Sequence, residues 1–167
     1  MSRRSRNFAI AIACLVLAGA GLGAYALARR APASSDVLII AHGEKVDLAA
    51  HAAQGKYTIF DFYAPWCPPC RVLSSALERL AGKRPESIAL RKIDIVDWTM
   101  PVAAQHGIES LPYLMLYDRQ GRRMAEGEEV FGALVRLFGD SAREVNEATH
   151  LPSEDAPAAA APAATGG

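Results

Sequence analysis

The chain has 167 residues, with 18 basic and 18 acidic side chains, 51% hydrophobic residues and three cysteines, which leaves room for one compact domain with appendages. Five of the 18 basic residues lie at or before Arg30 and no acidic residue does, so the rest of the chain carries 13 basic against 18 acidic side chains. That mildly acidic balance, with no basic patch interleaved with aromatics, argues against nucleic acid as a partner.

Phe8 to Leu27 (FAIAIACLVLAGAGLGAYAL) is a run of 20 residues without a charge. At about 1.5 Å per residue a helix over it covers roughly 30 Å, the hydrocarbon core of a bilayer. Arg3, Arg4, Arg6 and the terminal amine precede the run and Arg29 and Arg30 come after it, a slight bias toward an N-terminus inside. Two readings stay open for residues 1–30: an uncleaved anchor, or a signal peptide cut after the small residues Ala26 and Ala28. The run exceeds the usual apolar core of about 7–15 residues in a signal peptide, and Arg29 and Arg30 would stand directly after the cut, which favours the anchor. Cys14 has too few apolar residues before it for a lipoprotein signal and reads as a small hydrophobe in the span, and SRRSRNF is only a weak twin-arginine pattern. Both readings export the chain beyond the linker over 31–36 into a compartment where disulfides persist.

A domain is expected over 37–140. Val37 to Ile40 reads as a first strand and Val46 to Ala53 as a short helix closed by Gly55. Tyr57 to Ala64 (YTIFDFYA) is the strongest strand, rich in β-branched and aromatic residues. From Cys70, CRVLSSALERLAG spaces Val72, Leu73, Ala76, Leu77 and Leu80 along one helical face, with Gly82 as the stop. Ser87 to Ile95 is a further strand, MPVAAQHG a short helix beginning near Pro101, Pro112 to Asp118 a buried strand, and RQG a tight turn. RRMAEG returns as an edge strand, and EEVFGALVRLFG places Val130, Leu134, Leu137 and Phe138 on a final amphipathic helix. Residues 141–167 are counted as a tail, of which Leu151 to Gly167 is Ala/Pro-rich without apolar periodicity and is expected to be disordered.

Strands alternating with helices imply an α/β fold, a parallel or mixed sheet covered on both faces. FYAPWCPPC then sets Cys67 and Cys70 at the carboxyl end of a strand and the N-terminus of a helix. Unpaired N–H groups and a partial positive charge at a helix start stabilise an anion. A free thiol with a pKa of about 8.5 is mostly protonated at neutral pH, and only the thiolate attacks a disulfide. Cys67, at the N-cap or first helical position, is the candidate thiolate, and Cys70, one turn later on the same face, is placed to resolve a mixed disulfide. A zinc clip would need ligands that the scattered His42, His51, His106 and His150 do not supply at suitable spacing. A purely structural disulfide across two residues closes a loop too small to stabilise much. His106 reads as a helix-end residue, and Trp98 and Met100 as packing residues.

DFYAPWCPPC together with GIESLPY, which begins 37 residues after Cys70, resembles the thioredoxin family, over roughly Val37 to Phe138. Tyr63, Ala64, Trp66, Cys67 and Cys70 meet the family's aromatic-Ala-x-Trp-Cys-x-x-Cys pattern. The resemblance implies the thioredoxin fold, a central mixed sheet flanked by helices on both faces, and a thiol–disulfide oxidoreductase without cofactor or metal. It also implies a cis-proline at Pro112, whose loop, with Leu111 and Trp66, would receive the extended chain of a substrate. Asp61 matches the family's buried acid. Strand alternation sets it on the face opposite Phe60 and Phe62, where burial would raise its pKa and fit it to take the proton of Cys70. Lys92 matches the family's lysine near that acid after a one-residue shift.

Pro68 and Pro69 depart from the family, whose cytoplasmic members have Gly-Pro between the cysteines and whose strongly oxidising members have a histidine there. Neither proline carries an N–H, so two donors to the Cys67 thiolate are missing. A less stabilised thiolate favours disulfide reduction over oxidation. The expectation is a membrane-tethered reductase of disulfide-bearing exported proteins, on the periplasmic side of the membrane, resupplied by a membrane thiol-electron carrier. The alternatives are a thiol oxidase or isomerase, a form secreted after signal cleavage, and a thioredoxin-like adaptor without turnover.

Overall fold

Tyr57–Tyr63 (β2) forms the middle strand of a five-stranded sheet, its five central residues buried on both faces. In the computed structural model, which describes residues 35–148, the strand order is β1-β3-β2-β4-β5. The other strands are β1 (Asp36–His42), β3 (Ile88–Asp94), β4 (Tyr113–Tyr117) and β5 (Arg123–Glu126). β1 and β2 each run parallel to β3, whereas β4 runs antiparallel to both β2 and β5. Parallel neighbours require crossover helices and antiparallel ones do not. Helix α1 (Leu48–His51) and helix α2 (Pro68–Lys83) accordingly lie between the parallel strands, with α3 (Pro101–His106) before β4 and α4 (Glu129–Phe138) after β5.

Alternation along the strands divides the interior into two cores. Ile59, Leu90, Leu114 and Leu116 meet Leu73, Leu77 and Leu80 of α2 and Val130 and Leu134 of α4 on one face. Phe60, Phe62, Ile93 and Met115 meet Leu48, Val102 and Ala103 on the other. The first turn of α2 turns into this second core and contributes Cys67 and Cys70 to it.

Helix α1 is shorter than the expected 46–53 because Asp47 caps it, its carboxylate accepting the Ala49 N–H at 3.0 Å. Helix α2 does not stop at Gly82. It runs to Lys83 and ends where Arg84, with φ −133° and ψ 48°, precedes Pro85; the proline disfavours helical geometry at the residue before it. Val72 is 42% exposed and is not on the buried face, whereas Ser74 is buried. The inward residues are Cys70, Leu73, Ser74, Ala76, Leu77, Leu80 and Ala81, a stripe from which Val72 is rotated away.

Structure continues past residue 140, the expected start of the tail. A 3₁₀ turn (Gly139–Ala142) and a further helix, α5 (Arg143–Ala148), continue the fold. Ala142 and Val145 are buried in the first core, and Glu144 pairs with Arg79 at 2.7 Å and Lys83 at 3.2 Å. The expected anchor at Phe8–Leu27 and the disordered stretch Leu151–Gly167 lie outside the described residues. Among the described residues no helix is long and apolar enough to cross a membrane.

Candidate active site

Cys67 is the N-cap of α2, in extended geometry at φ −91° and ψ 106°, with Pro68 and Pro69 as the first helical residues. Proline suits that position because its fixed φ is helical and the N–H it lacks would have no helical partner. The Cys67 sulfur accepts the Cys70 N–H at 3.3 Å, and the two cysteines are joined by a disulfide with Cα atoms 5.3 Å apart. Cys67 is 4% exposed and Cys70 fully buried, while Trp66, Pro68 and Pro69 around them are exposed.

Leu111 packs against the core that holds both cysteines. The Leu111–Pro112 peptide is cis, and both residues are half-buried. On the other side, the Trp66 indole N–H donates to the Val96 carbonyl at 2.5 Å, and its ring lies 6.2 Å from that of Trp98. Val96 has φ +60°, a conformation a β-branched residue adopts only when its surroundings force it. Asp94 does so by accepting the Val96 N–H at 2.8 Å, and Asp94 is itself buried and paired with His42 at 3.0 Å. Trp98 is 47% exposed, so the packing role read from the sequence holds only on the side facing Trp66.

Beneath the helix start, Asp61 is fully buried and accepts the Ser74 hydroxyl on Oδ2 at 2.5 Å, while among the described residues Oδ1 has no hydrogen-bond partner. Burial pushes the Asp61 pKa up to about 6, against the opposing pull of the Ser74 hydroxyl and of Lys92. Lys92 stands directly opposite Asp61 in the β2–β3 ladder. Its ammonium is held by Glu78 at 2.7 Å and lies 4.7 Å from the centre of the Tyr63 ring. Cys70, Ser74 and Glu78 succeed one another at four-residue steps along α2, so one face of that helix carries the thiol, the donor to Asp61 and the partner of Lys92.

This arrangement of a capping thiol, a resolving thiol one turn on and a cis-proline loop accompanies a family match. The thioredoxin family model matches residues 43–136. The chain belongs to the thioredoxin family. It is 34% identical over 93 residues to a thioredoxin-like protein of Fusarium culmorum, covering 53% of this chain and 75% of that protein. It is 38% identical over 78 residues to a thioredoxin of Pyropia yezoensis, covering 47% and 68%. The oxidised structure of thioredoxin O2 from Arabidopsis thaliana covers 62% of this chain and 95% of its own, with 21% identity and a TM-score of 0.48. As a thioredoxin-family member the chain is a thiol–disulfide oxidoreductase, and disulfide-bearing proteins are the substrate class of thioredoxins.

The structure brings Cys67, Cys70, Trp66, Leu111, Pro68 and Pro69 to one end of the sheet and places Asp61 and Lys92 side by side on β2 and β3. His106 closes α3, its Nε2 3.1 Å from the Val46 carbonyl oxygen and its ring against Phe62, and burial lowers its pKa. No cluster of three metal-ligating side chains occurs among the described residues. The sequence reading missed Ser74, Glu78, Val96 and the exposed face of Trp98. For Ser74 a signal existed: it is the residue four after Cys70, next to an apolar stripe.

Proposed function

We propose that this thioredoxin-like chain is a disulfide reductase of exported proteins, working outside the cytoplasm on the periplasmic side of the membrane that Phe8–Leu27 would span. The observation that carries the direction is at the helix start. The Cys67 sulfur receives the Cys70 N–H, and the two intervening residues are prolines with no N–H to give. With fewer donors the reduced thiolate is less favoured, and the pair is a better reductant.

In the reaction, the Cys67 thiolate attacks a disulfide of the partner protein. A Cys67–partner disulfide forms and the partner's other sulfur leaves as a thiolate that takes a proton from water. Cys70 then loses its proton to Asp61 and attacks the Cys67 sulfur. The Cys67–Cys70 disulfide forms, the Cys67–partner bond breaks, and the partner leaves fully reduced while the pair has given up two electrons. Trp66 adjoins Cys67 in the chain and Leu111 packs against the core that holds both cysteines; with Pro112 they are the surface on which the partner's extended segment would lie. The spent disulfide is returned to the dithiol by a membrane thiol-electron carrier, since an oxidising compartment assures no soluble reductant.

Alkylation trapping of Cys67 and Cys70 in intact cells, read as a mass shift on chain recovered from the membrane fraction, tests this. A pair held mostly as dithiol supports the reductase. A pair held mostly as disulfide, with disulfides lost from other exported proteins in a Cys67→Ser strain, makes it an oxidase. An unchanged phenotype in that strain makes it an adaptor.

A further inference from the structure

The Asp61 carboxyl has two oxygens in different situations. Oδ2 is bonded to the Ser74 hydroxyl, and Oδ1 is buried without a partner among the described residues. Ser74 lies four residues after Cys70 on α2, and both side chains face inward. Residues at this spacing are neighbours on a helix, with Cβ atoms about 5–6 Å apart. The hydrogen bond therefore does more than satisfy a buried hydroxyl. It ties the strand-borne carboxyl to the helix one turn beyond the resolving cysteine. A buried polar group without a partner carries a cost, and Oδ1 bears it.

We propose that Ser74 is the positioning residue of this proton transfer: its hydroxyl holds Oδ2 of Asp61 against α2 beneath Cys70 and leaves Oδ1 open to receive the Cys70 proton. The inference rests on the reading of Asp61 as the proton acceptor. The proton leaves the Cys70 thiol for Asp61, and the electron pair left on the Cys70 sulfur forms the bond to Cys67. Ser74 keeps its own proton, which stays on its oxygen and points at Oδ2. The groups that face the carboxyl are Ser74 and Glu78 on α2, Lys92 on β3 and Tyr63 on its own strand. On β4 its register partner is the apolar Leu114. Lys92 is already engaged by Glu78 at 2.7 Å, so the hydroxyl is the direct donor to the carboxyl.

The experiment compares the full chain with its Ser74→Ala, Ser74→Thr and Asp61→Asn variants. The Asp61 titration is read from its carboxyl ¹³C resonance in the disulfide form, where neither cysteine titrates. The rate of insulin disulfide reduction by the dithiol form is then followed from pH 5 to pH 9. A donor to the ionised carboxyl favours ionisation, so its loss in Ser74→Ala should move the Asp61 midpoint up from about 6 by about one pH unit. The acid limb of the rate profile should move with it, making the variant about tenfold slower at pH 5 and equal to the native chain at pH 9. Ser74→Thr, which keeps a hydroxyl, should restore both midpoints. The Cys67 thiol gives its own acid limb in every variant, so the ratio of native to Asp61→Asn rate is the readout: a ratio that does not change from pH 5 to pH 9 overturns the proton-acceptor reading and this inference with it. A ratio that rises through the Asp61 midpoint, with that midpoint unmoved in Ser74→Ala, overturns the role of Ser74 alone. A rate lowered equally at all pH values in Ser74→Ala, with the Asp61 midpoint unmoved, also overturns it, since a packing defect does that.

Discussion

Replacing Asp61 by asparagine should stabilise the disulfide form of the protein above neutral pH. Folding raises the Asp61 pKa from 3.8 to about 6, because the carboxyl is fully buried. The native state therefore holds a proton that the unfolded chain has already released between these values. Stability falls as pH rises through that window and is constant above it; it is recovered as pH falls below about 4. About two pH units at about 1.4 kcal/mol each give roughly 3 kcal/mol of destabilisation at pH 8. Asparagine has no charge to bury, and its carbonyl can keep the Ser74 hydroxyl. Its amide nitrogen, in the place of Oδ1, meets no acceptor among the described residues, at a cost of about 1–2 kcal/mol. The net gain expected for Asp61→Asn is about 1–2 kcal/mol at pH 8; it vanishes near about pH 5 and turns into a loss of about 1 kcal/mol by about pH 4, where the amide cost alone remains. Urea denaturation of both proteins from pH 4 to pH 8, followed by the fluorescence of Trp66 and Trp98, measures it. A variant less stable at pH 8, or a difference that does not change with pH, would refute the claim that Asp61 is a buried, ionised carboxylate above neutral pH.

Three further perturbations probe other parts of the structure. Val145→Asp buries a charge where the native side chain is 1% exposed, and should lower the stability measured in urea by more than about 2 kcal/mol; a neutral result would mean that α5 does not belong to the core. Val96→Gly relieves φ +60°, worth about 1–2 kcal/mol for a non-glycine residue, against about 0.5–1 kcal/mol of glycine entropy. The thermal midpoint should therefore hold or rise, and a clear drop would show that the Val96 side chain contributes more than its backbone strain costs. Pro68→His places a potential cation beside the Cys67 thiolate and should raise the reduction potential, by about 30 mV for each tenfold change in the exchange equilibrium with glutathione; an unchanged potential would break the link drawn between the diproline and the direction of electron flow.

Much of this was legible in the sequence, for identifiable reasons. Tyr57–Tyr63 carries a run of β-branched and aromatic side chains that only a buried strand accommodates, and the Pro-Pro pair after Cys67 fixes the start of α2 within one residue. The end of that helix is misread at Gly82 because a glycine can stand in a helix as well as stop one. Pro85, through its effect on Arg84, is the stronger signal. Helix α5 escapes a sequence reading because it buries only Val145 fully and is held largely by contacts with α2, far earlier in the chain, as well as with the neighbouring α4. The Ser74–Asp61 bond joins residues 13 apart on two elements, a geometry that depends on how α2 seats over β2. The φ of Val96 is likewise imposed by Asp94 and Trp66, and no local rule predicts it for valine.

The most direct test of the central claim is the reduction potential of the Cys67–Cys70 pair in the full chain, measured by equilibration with graded dithiothreitol and glutathione buffers. A disulfide reductase whose Cys67 sulfur receives the Cys70 N–H beside two donorless prolines should lie near thioredoxin, at about −270 mV. A value near the roughly −120 mV of a strongly oxidising member would contradict it, and would mean that the reduced pair is stabilised by something other than the amides at the start of α2.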